Sequence, residues 1–242
     1  MTATLLLKNA LVIGTMDDQL RELANASVFI RGNKVEAVGP ASELPSEADK
    51  VIDMTGHVLI PGLINTHHHM FQSLTRALPA AQNAELFDWL TALFPVWQNI
   101  TPQMQRAATR TAMAELMLSG CTTAADHAYL YVNGTRLDDS VQAAEEMGMR
   151  FHAVRGAMSL GQSQGGLPPD ALVEQDEQAI LREMQRVVED LHDSAADAMI
   201  KVALGPCSPF TVTTDLMREG AALARSCGVG LHTHTAENVK DL

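Results

Sequence analysis

Apolar residues along the first 60 positions come in short runs rich in Val, Ile and Leu: Leu5–Ile13, Ala26–Ile30, Lys34–Val38, Val51–Ile52 and His57–Ile60. Between them stand Asp17-Asp18, Gly32-Asn33, Gly39-Pro40 and Thr55-Gly56, residues that favour turns. The pattern predicts a small β domain over residues 1–60, with a hairpin around Arg31-Gly32-Asn33-Lys34. From residue 61 onward, short apolar runs alternate with longer stretches of helical period. Strands are predicted at Leu63–Thr66, Thr122–Asp126, Arg150–Arg155, Met199–Leu204 and Gly230–His234. Helices are predicted at Ala84–Leu93, Thr101–Ser119, Leu137–Met147, Pro169–Leu191 and Thr213–Cys227. Thr101-Pro102 is a helix start, a capping hydroxyl followed by Pro in the first turn, and Gly120 and Gly148 are helix stops.

Repeated strand–helix units imply a parallel sheet with right-handed crossovers. About five units fit residues 61–242. They describe either an open doubly wound sheet of flavodoxin type or the first part of an eight-stranded barrel. No GxGxxG or GxxxxGK[ST] follows any strand, so a nucleotide-binding sheet lacks its motif. The Gly161–Gly166 stretch reads as a loop over a site.

Composition narrows the function classes. With 46% apolar and 19% charged residues, the chain is globular rather than disordered. Its 29 acidic against 17 basic residues give a net charge of −12, which disfavours nucleic acid and anionic membrane as partners. Cys121, Cys207 and Cys227 fit neither a disulfide framework nor a CxxC zinc site. Reduced thiols, with no convincing signal peptide and no membrane-length apolar window, predict a cytoplasmic protein.

The histidines carry the chemistry. His67, His68, His69, His232 and His234 fall at or just past the first and fifth predicted strands of the α/β region, and His127 follows the second. That edge is where active sites form in barrels and open α/β sheets. Side chains two apart on a strand share a side, so His67 and His69 converge on one metal ion while His68 turns away. His232 and His234 likewise share a face, and Glu237, three residues beyond His234, is placed either for proton transfer or as the first-turn acid of a following helix. His127 borders the pocket, in a structural or a substrate-contacting role. His152 reads as a core histidine, His192 as solvated and His57 as part of the β domain.

Val58-Leu59-Ile60-Pro61-Gly62-Leu63-Ile64-Asn65-Thr66-His67-His68-His69 resembles the first barrel strand of the amidohydrolase superfamily. Leu231-His232-Thr233-His234-Thr235-Ala236-Glu237-Asn238 resembles the fifth strand of its aminohydrolase branch. The stretches His67–Arg76, Ala114–Thr123 and Pro206–Phe210 are most similar to the 8-oxoguanine deaminases of that branch; hydroxyatrazine-type s-triazine hydrolases and guanine deaminases are the alternatives. The resemblance implies an α/β fold, a (β/α)8 TIM-type barrel with about its first five units present in residues 61–242. It also implies a small N-terminal β-sandwich, residues 1–60, whose remainder lies beyond this chain. His67, His69 and His234 would bind one divalent metal, Zn²⁺ or Fe²⁺. Lys201 lies at the wrong end of its strand to be a bridging ligand for a second ion. Glu237 would shuttle a proton, and Gln72, Trp89, Cys207 and His127 would contact a small heterocycle, an oxopurine or an s-triazine. Deamination of 8-oxoguanine would give urate and ammonia, a step of purine catabolism, and homo-oligomers are compatible with the family. The resemblance further requires a sixth-strand His and an eighth-strand Asp that this sequence lacks. The expectation is therefore an N-terminal part of a polypeptide of roughly 450 residues; an inactive metal-binding fragment is the reading from another class.

Overall fold

A computed structural model describes residues 2–237 and divides the chain into two compact units, Met1–Gly62 and Leu63–Leu242. The first unit is built on β1 (Thr4–Gly14). β2 (Glu22–Arg31) runs antiparallel beside it and pairs in turn with β3 (Lys34–Pro40). The predicted hairpin is present: Arg31 pairs with Lys34 across a two-residue turn whose Gly32 has φ +59°. On the other flank, β4 (Lys50–Asp53) runs parallel to the first half of β1 and β5 (Val58–Leu59) to its second half. The register shifts between these halves, where Asn9 takes φ +62° and its amide reaches Asp53. Residues 2–62 thus form one mixed sheet, in which the two short strands share one flank of a long strand. Ala10, Ile13, Ala26 and Val28 supply a buried face.

The second unit holds β6 (Leu63–Asn65), β7 (Cys121–Ala128), β8 (Arg150–Ala157), β9 (Ile200–Pro206) and β10 (Gly230–Leu231). They are all parallel and ordered β10-β9-β8-β7-β6. Each strand pairs with the next in sequence, as in a barrel wall; a flavodoxin-type sheet reverses order at its second strand. Helices α1 (Leu86–Trp97), α2 (Pro102–Leu118), α3 (Leu137–Met147), α4 (Glu177–Leu191) and α5 (Thr214–Cys227) intervene. The alternation along β7 divides the layers. Ala124 and Ala128 join Met113, Val141, Phe151 and Val202 in the core between sheet and helices, while Ala125 and His127 face the other side.

Several boundaries differ from expectation for identifiable reasons. α1 runs on through Pro95 to Trp97, because proline sits in its last turn and Phe94 and Trp97 are buried. α2 starts as read, with Thr101 Oγ1 accepting from the Met104 N–H. α4 begins eight residues later than expected, at Glu177, capped by Asp176. The residues ahead of it are held elsewhere: the Glu174 N–H donates to the Met158 carbonyl and its carboxylate binds Arg155. His192, read as solvated, is half-buried and accepts the Val202 N–H on Nδ1, tying the end of α4 to β9. No helix among the described residues is long and apolar enough to cross a membrane.

Candidate functional site

The two motifs leave the sheet at its two opposite edges. His67 and His69 follow β6, and His232 and His234 follow β10. Across a flat sheet four strand spacings separate those edges by about 19 Å. Yet the Nε2 atoms of His69 and His234 lie 3.2 Å apart, so the strands curl at their C-terminal ends. Ring nitrogens of His67, His69 and His234 all fall within 4.8 Å of one another. Glu237, the last described residue, lies on the same cavity wall; Asn238 of the second motif lies outside the described residues.

The tautomers are dictated by backbone carbonyls, which can only accept. The His69 Nδ1–H donates to the His127 carbonyl at 2.7 Å, and the His234 Nδ1–H donates to the Cys207 carbonyl at 2.7 Å. Both Nε2 atoms therefore turn lone pairs toward each other at 3.2 Å, which is unfavourable unless a cation stands between them. A zinc ion 2.0–2.1 Å from each, at a tetrahedral angle, separates two nitrogens by about 3.4 Å. The carbonyls act as the outer partners that metal-binding histidines require. Burial holds the His69 pKa down at about 3 and lowers those of His67 and His232, so these rings are neutral and able to ligate.

A second trio, His127, Cys207 and His234, also clusters within 4.8 Å. Its donors are committed elsewhere. The His127 Nε2–H donates to the Gly205 carbonyl at 3.2 Å, and its Nδ1 accepts the His232 Nδ1–H at 2.7 Å. Burial pushes the Cys207 thiol up to about 12, so it is no thiolate. His127 does not line the cavity. Its ring occupies a hole that exists because Gly156 and Gly205, paired across β8 and β9, lack side chains. A Cβ on Gly156 would come within 2.7 Å of the His127 ring, and one on Gly205 within 3.0 Å of it and 2.6 Å of Val154.

A cavity of about 500 Å³ opens beside the three histidines, within the usual range for small-molecule sites. Gln72, Trp89 and Cys207 line it, with Leu86, Leu90 and Phe94 from α1 and Leu167 and Pro168 from the loop after β8. The Gly161–Gly166 stretch is no open loop but a pinned turn: the Gln162 N–H donates to the Pro168 carbonyl and the Ser163 N–H to Asp170. Phe71 sits in the core against Trp97 and Tyr129. Lys201 pairs in register with His152, four residues before Gly205 and away from the cluster.

Two functional-looking residues escaped the sequence reading. Tyr129, fully buried at the cavity wall, accepts a hydrogen bond from Gln72 Nε2 at 3.0 Å. Asp126, 0% exposed, points away from the cavity and accepts the Met70 N–H at 2.7 Å, fixing the turn that leaves His69. An aspartate at the end of an apolar strand was the available signal. Its other oxygen has no partner among the described residues. Burial raises its pKa to about 7, against the lowering effect of the Met70 bond. A folded-state pKa above the unfolded value means that the folded chain holds this proton more tightly. The group favours folding below about pH 4, and that contribution is lost as pH rises to about 7. Asp126→Asn keeps the acceptor for Met70 and removes the titration. Relative to wild type it should gain on the order of a few kcal/mol between about pH 4 and pH 8 in urea melts; parallel curves would refute the assignment.

Residues 58–242 match the model of the amidohydrolase family. The chain belongs to the amidohydrolase family. Among curated members, it is 43% identical to an 8-oxoguanine deaminase of Pseudomonas aeruginosa, over 97% of this chain and 52% of that protein. It is 35% identical to a hydroxydechloroatrazine ethylaminohydrolase of a Pseudomonas species, over 89% of this chain and 47% of that one. A solved amidohydrolase, an atrazine chlorohydrolase from Arthrobacter aurescens complexed with zinc, superposes with a TM-score of 0.89 at 30% identity, covering 97% of this chain and 53% of its own. The chain spans about half the length of the curated relatives it matches.

Proposed function

We propose that this chain carries the metal-binding half of an aminohydrolase that deaminates an oxopurine, with 8-oxoguanine giving urate and ammonia. The observation that carries the reading is the pair of facing lone pairs on His69 and His234, each fixed by a carbonyl, at the mouth of an apolar cavity. In this reading residues 1–60 are a β domain and residues 61–242 the first five units of a (β/α)8 barrel. His67, His69 and His234 hold one divalent ion, zinc or iron. When bound, such an ion supplies a nucleophile near neutral pH by lowering the pKa of water. Trp89, already packed against Trp97 at 5.4 Å, offers its indole to a flat ring. Gln72 fixes the ring by hydrogen bonding. Glu237 moves a proton to the ring nitrogen beside the carbon that bears the amine, so that this nitrogen takes up electron density as water adds to the carbon, and ammonia departs once the amine has itself gained a proton. Cys207 holds His234 in register through its carbonyl, and His127 does the same for His69.

The test is ammonia release from 8-oxoguanine, guanine and hydroxyatrazine by the zinc-loaded polypeptide that joins this chain to the C-terminal half the reading requires. Ammonia from 8-oxoguanine supports the reading, and alkylamine from hydroxyatrazine transfers it to the triazine relatives. Zinc retention without product from any of the three leaves a metal-binding fragment.

A further inference from the structure

The cavity wall carries a polar pair, Tyr129 and Gln72, that the metal cluster and Glu237 do not use. Tyr129 is buried, just past the end of β7, with its ring edge-on to His69 at 5.0 Å and to Phe71 at 5.2 Å. It lines the cavity, with Trp97 behind Phe71. There it meets the Gln72 amide, 3.0 Å away, from the turn after His69. No other protein hydrogen bond to either group is found among the described residues, so each has bonding capacity left over at the cavity surface.

That capacity has a definite pattern. With the Gln72 amide donating one N–H to the Tyr129 oxygen, the phenol hydrogen, the Gln72 carbonyl and the second amide N–H remain, so a donor stands beside an acceptor. With the amide turned over, the phenol donates to Gln72, leaving a lone pair on Tyr129 and an N–H on Gln72. Either arrangement again presents a donor beside an acceptor. The complement in a flat heterocycle is a ring N–H adjacent to a C=O. A phenol titrates near 10, so the group is an O–H at neutral pH. A buried donor left without an acceptor is costly, which makes such a pair a strong filter against rings that cannot satisfy it.

We propose that Tyr129, coupled to Gln72, is a specificity-determining residue that selects oxo-heterocycles presenting an N–H/C=O edge over heterocycles of the same size without a carbonyl. The assignment rests on the heterocycle-binding reading of this cavity and names the substrate feature that it reads.

The experiment is equilibrium binding to the zinc-loaded chain of two purines with no exocyclic amine, which the proposed reaction cannot consume. 6,8-Dioxopurine has N–H/C=O edges; purine has none. Wild type should bind 6,8-dioxopurine at least about tenfold more tightly than purine. Tyr129→Phe, which keeps the ring contacts, and Gln72→Met, which keeps the length, should each erase most of that preference while leaving purine affinity within about twofold. Thermal melts report whether each variant is folded. Equal binding of both ligands by wild type would overturn the selection while leaving the heterocycle site standing. Binding of neither would overturn both readings. A variant that loses both ligands in proportion, or that keeps the wild-type preference, would show that Tyr129 shapes the cavity without reading an edge.

Discussion

His69→Ala is expected to strip zinc from the chain. Wild type should retain about one equivalent after dialysis, as three imidazoles converge there. Removing an outer hydrogen-bond partner of a metal-binding histidine costs about 10–100-fold in affinity, and losing the ligand itself should exceed that range. The effect extends to stability. An ion at 100 times its dissociation constant adds about 2.7 kcal/mol to the folded state, and the variant forfeits that gain. Zinc content by elemental analysis and melting with and without added zinc read the two effects separately. His68→Ala is the control. His68 leaves the strand on the other side, its carbonyl accepting the His127 N–H, so its zinc content should match wild type. Full zinc retention by His69→Ala would remove the metal centre from the proposed function.

The second large effect concerns stability alone. Arg155 is 1% exposed at the end of β8, its guanidinium 2.7 Å from the Glu174 carboxylate and 3.8 Å from the centre of the Tyr131 ring. Burial works against its charge, but Tyr131 and Glu174 outweigh it and hold the pKa above the usual value. Removing one partner of a buried pair strands the other charge and costs about 3–5 kcal/mol. Glu174→Ala should fall toward the lower end, because Tyr131 still covers Arg155 and Glu174 is 30% exposed at its side chain. A loss of about 3 kcal/mol corresponds to a melting temperature roughly 6–12 °C lower in a chain of this size. Replacing both partners with apolar residues of similar volume should recover most of the loss, since the cost lies in the stranded charge. A Glu174→Ala melt within about 2 °C of wild type would contradict this account.

Much of this could be read from residues in order, and the limits are physical. Alternation and turn chemistry located every strand of the first unit, because a strand's period and its breakers are local. They did not reveal that β4 and β5 share a flank of β1, since pairing is decided by partners dozens of residues away. His67, His69 and His234 were legible because His-x-His beside a strand end is a local pattern. Tyr129 and Asp126 were hidden, because their roles come from residues brought across the sheet, Gln72 and Met70. The eight residues ahead of α4 read as helix by composition; the anchoring of Glu174 by Arg155 and Met158 overrode that preference. Gly156 and Gly205 lie one residue past the predicted strands Arg150–Arg155 and Met199–Leu204, and only the His127 ring between them explains why nothing larger stands there.

The facing histidines sit on the first and last strands of the sheet, and 165 residues of chain separate them. A ribosome adds about 5–20 residues per second, so His67 and His69 are made roughly 8–33 s before His234 exists to meet them. During that interval the nascent chain would present two of the three histidines of the proposed metal centre without the third.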